Sequence, residues 1–161
     1  MHTDGNHGDG LDRDAITRLI PHSGAMCLLD SVDLASELEI VCGASSHRDG
    51  ANPLRLDGRL PAVAGIEYAA QAMAVHGALA AATALERGAT PPRPGFLVAL
   101  RGVELHVDRL DDVRSPLVIH AIRQSGDGSS LSYEFSVSAS GRALIEGRAI
   151  VMLAPAETSD T

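Results

Sequence analysis

No lysine occurs among the 161 residues; all 13 basic side chains are arginines. That absence removes every mechanism needing a Schiff-base lysine, a P-loop lysine or a lysine general base. Tryptophan is also missing, and Tyr68, Phe96, Tyr133 and Phe135 are the only aromatic side chains. Base-stacking platforms and aromatic sugar-binding surfaces therefore lack their raw material, and the core must be aliphatic. Cys27 and Cys42 are the only cysteines and both lie in apolar, strand-like runs, which reads as small buried thiols rather than a disulfide framework. The formal charge of -8 gives no electrostatic support for nucleic acid or an anionic lipid surface, so neither is expected as a partner. Met1 to Gly10 has neither a basic n-region nor an apolar h-region, so no signal peptide is visible and a cytoplasmic location is the expectation. No G-x-S-x-G elbow, H-E-x-x-H string, zinc-spaced Cys/His cluster, G-x-G-x-x-G or P-loop is present, so neither a metal nor another cofactor is implied.

What is present suits one core, since 45% of the residues are hydrophobic and a chain of this length rarely divides in two. Residues 1–10 and 156–161 are polar without apolar periodicity and read as disordered tails flanking a domain over 11–155. Asp12 or Asp14 can cap a short helix carrying Ile16, Leu19 and Ile20, which Pro21 stops. Two strands over 25–34 and 37–46 follow, compatible with a hairpin whose inner face includes Leu28, Val32, Ile40 and Cys42. His47 to Pro61 is a long irregular loop with Arg48, Asp49, Gly50, Pro53, Arg55, Asp57, Gly58 and Arg59, a length often tied to function. Val63 to Arg87 is an alanine-rich helix ended by Gly88 and apolar on nearly every side, which predicts that it is enclosed. With Glu67, His76 and Glu86 inside it, that helix does not read as a membrane span. After the Thr90–Pro94 linker come four strands over 95–107, 117–123, 130–139 and 142–153. The clearest is Leu131, Tyr133, Phe135, Val137 and Ala139 alternating with serines and Glu134, an antiparallel strand with one face on the core. The order predicts an α+β domain in which an antiparallel sheet wraps one long central helix.

Four strings in that order resemble the hotdog-fold 3-hydroxyacyl-ACP dehydratases, closest to the dehydratase-like proteins of aryl polyene and polyketide-type clusters. Leu19-Ile-Pro-His22-Ser-Gly-Ala-Met-Cys-Leu-Leu-Asp30 is similar to the family's L-[LI]-P-H-R-x-P-M-L-L-[LV]-D opening. Leu60-Pro61-Ala-Val-Ala-Gly65-Ile-Glu67-Tyr-Ala-Ala-Gln71 is similar to its P-G-x-x-x-x-E-A-x-A-Q helix entry. Gly95 to Val107 resembles the family's central strand, and the last two strands agree in spacing with its closing hairpin. The resemblance implies dehydration of a 3-hydroxyacyl thioester held on an acyl carrier protein, in fatty acid, aryl polyene or polyketide biosynthesis. A single sheet wrapped round one helix leaves strand edges unpaired, which predicts a homodimer, or a heterodimer with an active dehydratase.

Dehydration needs a base for the proton next to the thioester carbonyl and an acid for the departing hydroxyl, and Glu67 in the first helical turn is the expected catalytic carboxylate. Backbone N–H groups from Ala62 to Gly65 are expected to polarise the thioester oxygen at the helix N-terminus, with Pro61 at its entry. Gln71, one turn after Glu67, is expected to brace the carboxylate or touch substrate. The family's catalytic His has no counterpart, because Asn52-Pro53 stands there, and Asn can orient water or a carbonyl but is no base near neutral pH. Either His47, five residues earlier, or a water held by Asn52 is expected in the base role; His22 is expected to tie the short helix to the sheet, and His76, on the opposite side of the long helix from Glu67, to be a satisfied buried residue. Arg93, Arg101, Arg109 and Arg114 are expected to dock an acidic carrier protein. Two alternatives stand beside the dehydratase: a thioesterase on the same fold that uses Glu67 to activate water, and a degenerate subunit that supports an active partner.

Overall fold

The computed structural model describes residues 10–22, 24–90 and 93–155, so almost all of both expected tails and the centre of the Thr90–Pro94 linker lie outside the described residues. Asp12 settles the first helix: its side chain accepts from the Ala15 amide at 2.9 Å, and helix α1 runs Arg13–Leu19 before Pro21 ends it. Ile16 and Ile20 plant it on the core. Immediately before it lies a two-residue strand β1, Leu11–Asp12.

Strands β2 (Ser31–Ala35) and β3 (Glu39–Ala44) form the expected hairpin, and Leu28, Val32, Ile40 and Cys42 are buried as the alternation requires. The first strand is shorter than the apolar run. Gly24–Met26 forms a 3₁₀ turn, and Cys27, Leu28 and Leu29 are all buried in succession, which a strand with one wet face cannot do. Both thiols are buried and free, and burial beside Asp33 pushes Cys42 up to about 12.

Helix α2, Gly65–Glu86, is preceded by a 3₁₀ turn over Ala62–Ala64. Gly88 adopts a left-handed φ of 70° and the Ala89 amide reaches back to the Ala84 carbonyl, a glycine-terminated helix end. Burial along α2 is uneven. Its buried residues stop at His76, and from Gly77 onward the helix is half-buried or exposed, so it is not enclosed on every side as expected. Alanine explains the difference, because a methyl group left in water costs little and does not compel burial.

Strands β4 (Gly95–Leu105), β5 (Leu117–Gly126), β6 (Ser130–Ala139) and β7 (Arg142–Leu153) complete one antiparallel sheet in the order β1-β2-β3-β5-β6-β7-β4. One face packs on α2: Leu117, Ile119 and Ala121 of β5, Tyr133, Phe135 and Val137 of β6, Ile145 and Ala149 of β7 are buried. The opposite face carries Glu39, His120, Glu134, Ser136, Glu146 and Arg148, in register across β3, β5, β6 and β7. Gly65 lets the start of α2 approach the sheet closely, since a Cβ there would stand 2.0 Å from Ile145 Cδ1. Ile145 pairs with Leu105 at the end of β4, so the helix start lies over β7, one strand in from the sheet's edge. That edge strand exposes Phe96, Leu97, Val98, Leu100 and Leu105.

Candidate active site

Glu67 sits in the first turn of α2, and its side chain is 39% exposed. Two groups face its Oε1 oxygen: Gln71 Nε2 donates to it at 3.4 Å, and His22 Nε2 lies 3.6 Å away. Gln71 is otherwise buried and fully used. Its Nε2 donates to the Met26 carbonyl at 2.8 Å and its Oε1 accepts from the Leu28 amide at 3.0 Å. One side chain thus ties α2 to the segment after His22 while touching the carboxylate.

The other sequence-derived residues take up different positions. His47 is 0% exposed, and its Nε2–H donates to the Val113 carbonyl at 2.9 Å. Its Nδ1 is buried without a hydrogen-bond partner, and burial holds the imidazole below the usual histidine range, so the ring is neutral and committed to the fold. The structure therefore does not bring His47 to Glu67, because the 3₁₀ turn Ser46–Arg48 packs it against the segment after β4.

Asn52 is also structural in its contacts. Its Oδ1 accepts from the Leu54 amide at 2.9 Å, and its Nδ2 donates to the Ser46 carbonyl at 2.9 Å and to the Tyr68 hydroxyl at 3.1 Å. Ser46 Oγ lies 2.7 Å from both the Leu28 carbonyl and the Tyr68 hydroxyl. Since each hydroxyl has one proton, the order is forced: Asn52 donates to Tyr68, Tyr68 to Ser46, and Ser46 to Leu28. This chain locks the long loop to α2 and was not read from the sequence; Tyr68, the one aromatic residue on that helix, was its only available signal.

The backbone donors expected over Ala62–Gly65 are mostly occupied. The Ala62 amide bonds to Asp108, Ala64 to Pro61, and Gly65 to Ala62 and Val63, because the 3₁₀ turn extends the helix start and consumes its own N–H groups. Pro61 forms an isolated bridge with Arg109 rather than opening toward Glu67.

The four arginines do not share a surface. Arg93 donates to the Gly128 carbonyl at the β5–β6 turn, whereas Arg109 is clamped to Asp111 near the other end of the sheet. That guanidinium holds Asp111 well below the usual carboxylate range, while Asp111 Oδ1 also accepts from the Leu60 amide at 2.9 Å. Arg114 has its carbonyl bonded by Arg48, and Arg101 projects from β4 opposite Arg148. The β5–β6 and β6–β7 turns are separated by the length of β6, about 33 Å at ~3.3 Å per residue, too far for one compact patch.

His76 is a satisfied buried residue, as expected: its Nε2–H donates to the Ser36 carbonyl at 2.8 Å and its Nδ1 accepts from the Tyr133 hydroxyl at 2.7 Å. Among the described residues, Glu104, His106 and Glu146 are a set of metal-ligand type, with ligand atoms within 4.8 Å of one another. They are exposed, and Glu146 belongs to the sheet face opposite α2, remote from Glu67. A cavity of about 620 Å³ at Arg109, Ser140 and Arg142 and another of about 590 Å³ at His76, Thr83 and Arg123 also exclude Glu67. No helix among the described residues is long and apolar enough to cross a membrane.

A long helix laid on one antiparallel sheet, with a carboxylate in its first turn, defines a hotdog-fold protein of the class that holds thioester dehydratases and thioesterases. Residues 14–161 match the ApeP-like family, described as ApeP dehydratase, and the chain belongs to that family. In structure it is similar to a chain of the dehydratase heterocomplex ApeI:P from Xenorhabdus doucetiae, with a TM-score of 0.72, 29% identity, and 87% of this chain and 91% of that one covered. It shares the fold of a mutant thioesterase from Pseudomonas aeruginosa, at 11% identity, a TM-score of 0.64, and coverage of 91% and 96% of the two chains. A thioesterase from Haemophilus influenzae aligns at 10% identity with a TM-score of 0.63, covering 89% of this chain and 91% of the other. No curated protein matches the chain in sequence. The protein is a dehydratase-like hotdog protein.

Proposed function

We propose that this chain is a subunit of a (3R)-3-hydroxyacyl-[acyl-carrier-protein] dehydratase, in which Glu67 is the acid that protonates the departing hydroxyl. The observation that carries this reading is Glu67 itself, held at the start of α2 by Gln71 in a chain of the ApeP-like dehydratase family. A carboxylate so placed is oriented by its neighbours yet open on one side, as proton delivery to a bound hydroxyl requires.

In the single chain that open side faces water, which favours a second subunit closing it. The start of α2 lies over Ile145, beside the Leu105 end of β4, so a chain added along β4 comes down next to Glu67. The relative from Xenorhabdus doucetiae is part of a heterocomplex, which supports a second hotdog chain as the occupant of that edge. An acyl thioester on a carrier protein and a cytoplasmic setting complete the reading.

Incubation with a 3-hydroxyacyl carrier protein, alone and together with the ApeI chain of that heterocomplex, followed by mass spectrometry, tests it. Loss of water from the acyl chain is expected, abolished by Glu67→Gln, which keeps the shape but cannot deliver a proton. Release of free acid instead of water would establish thioester hydrolysis and overturn the reading.

A further inference from the structure

His22 supplies what the long loop lacks. We propose that His22, not a residue of the 47–61 loop, is the base that acts with Glu67; this rests on the dehydratase reading above. The described histidines divide cleanly. His47 and His76 are buried with Nε2 bonded to backbone carbonyls, and His106 and His120 pair with Glu146 at 2.9 Å and Glu39 at 2.7 Å on the outer face of the sheet. His22 alone among them faces Glu67, with its Nε2 3.6 Å from Oε1 and its side chain 29% exposed.

A purely structural His22 would have to hold something. Among the described residues its ring forms no hydrogen bond that ties α1 to the sheet, and its Nδ1 is buried without a partner. What fixes its position is the main chain on either side. Ile16 and Ile20 anchor the helix before it, and Gln71 grips Met26 and Leu28 after it. The same Gln71 amide touches Glu67, so a single buried side chain registers the base-bearing segment against the acid. The position where the family's His would stand is unavailable for the task, because both ends of the Asn52 amide are bonded within the loop network.

The 3.6 Å separation suits a 1,2-elimination, whose two reacting sites are on adjacent carbons. With a 3-hydroxyacyl thioester bound, Nε2 of neutral His22 takes the proton from Cα, and the C–H electron pair becomes the Cα=Cβ bond. The Cβ–O bond breaks, its electron pair leaves on oxygen, and that oxygen takes the Glu67 proton and departs as water. An imidazolium and a carboxylate remain side by side, and transfer of the proton from Nε2 to Oε1 restores the starting pair without a third group.

The test uses 3-hydroxyacyl and 2-enoyl thioesters of N-acetylcysteamine, with the chain alone and with the ApeI chain. His22→Gln is expected to lower kcat on the order of 10²–10⁴-fold, the usual contribution of a positioned base, with KM little changed. It should also remove the acidic limb of the pH profile of kcat/KM, which a merely structural His22 would leave in place. Nuclear magnetic resonance of the wild-type ring keeps the proposal testable if the variant misfolds: the His22 ring resonances should shift on addition of the 2-enoyl thioester. Wild-type turnover matched by His22→Gln, or His22 ring resonances indifferent to the thioester, would overturn the role of His22 alone. No turnover by wild type in either setting would overturn the dehydratase reading and the role of His22 together.

Discussion

At the scale of single residues, the buried histidines make the protein sensitive to acid. His47 and His76 are both held below the ordinary value of 6.5, His76 chiefly by burial with Arg123 nearby, and each is neutral in the fold. The unfolded chain therefore binds more protons than the folded one once the pH drops below about 6.5, so stability rises with pH through that window and is lost as pH falls. The urea midpoint is expected to fall between pH 7.5 and 5.5, and His76→Gln should flatten part of that slope; equal midpoints at the two pH values would remove these rings from the account. Tyr133 takes part directly, since its ring meets His76 edge-on at 5.7 Å and its hydroxyl satisfies Nδ1.

At the scale of elements, the approach of α2 to β7 controls where Glu67 sits. Gly65 is the contact point, and the listening side chain is Ile145, fully buried beneath it. Gly65→Ala forces the Ile145 side chain or the helix start to move, an overpacking change that typically costs about 1–3 kcal/mol. A lowered denaturant midpoint together with reduced turnover is the expected result, since Glu67 is two residues further along the same helix. An unchanged midpoint would mean that Ile145 swings aside freely. Gly77, further along α2, has open space around its Cβ, so Gly77→Ala serves as the comparison at which destabilisation is not expected.

At the scale of the whole molecule, β4 is an edge that a single chain leaves unpaired. Phe96 is 61% exposed, with Val98 at 56% close by, and such a long apolar edge invites another strand. Sedimentation is expected to show a species larger than the 16.7 kDa chain, and Val98→Arg with Leu100→Arg should return it to single-chain mass. Loss of turnover in parallel would follow if the second chain covers Glu67; a single-chain wild type would refute the arrangement.

Period and punctuation in the sequence were enough to reveal the element order, because alternation along β6 and the alanine-rich span ended by Gly88 are local properties. Glu67 and Gln71 were legible for a similar reason: their spacing puts them one turn apart whatever surrounds the helix. The short β2 was not, since Cys27, Leu28 and Leu29 are equally apolar in a strand or in a turn enclosed on all sides, and only packing distinguishes the two. Nor was the choice among histidines. His47 is close in sequence to the position where the family's His would stand, yet the loop that carries it is folded by partners more than sixty residues away, among them the Val113 carbonyl. His22 reaches Glu67, 45 positions further along the chain, because α1, Gln71 and the Met26–Leu28 segment converge there, a non-local contact that no spacing along the chain encodes.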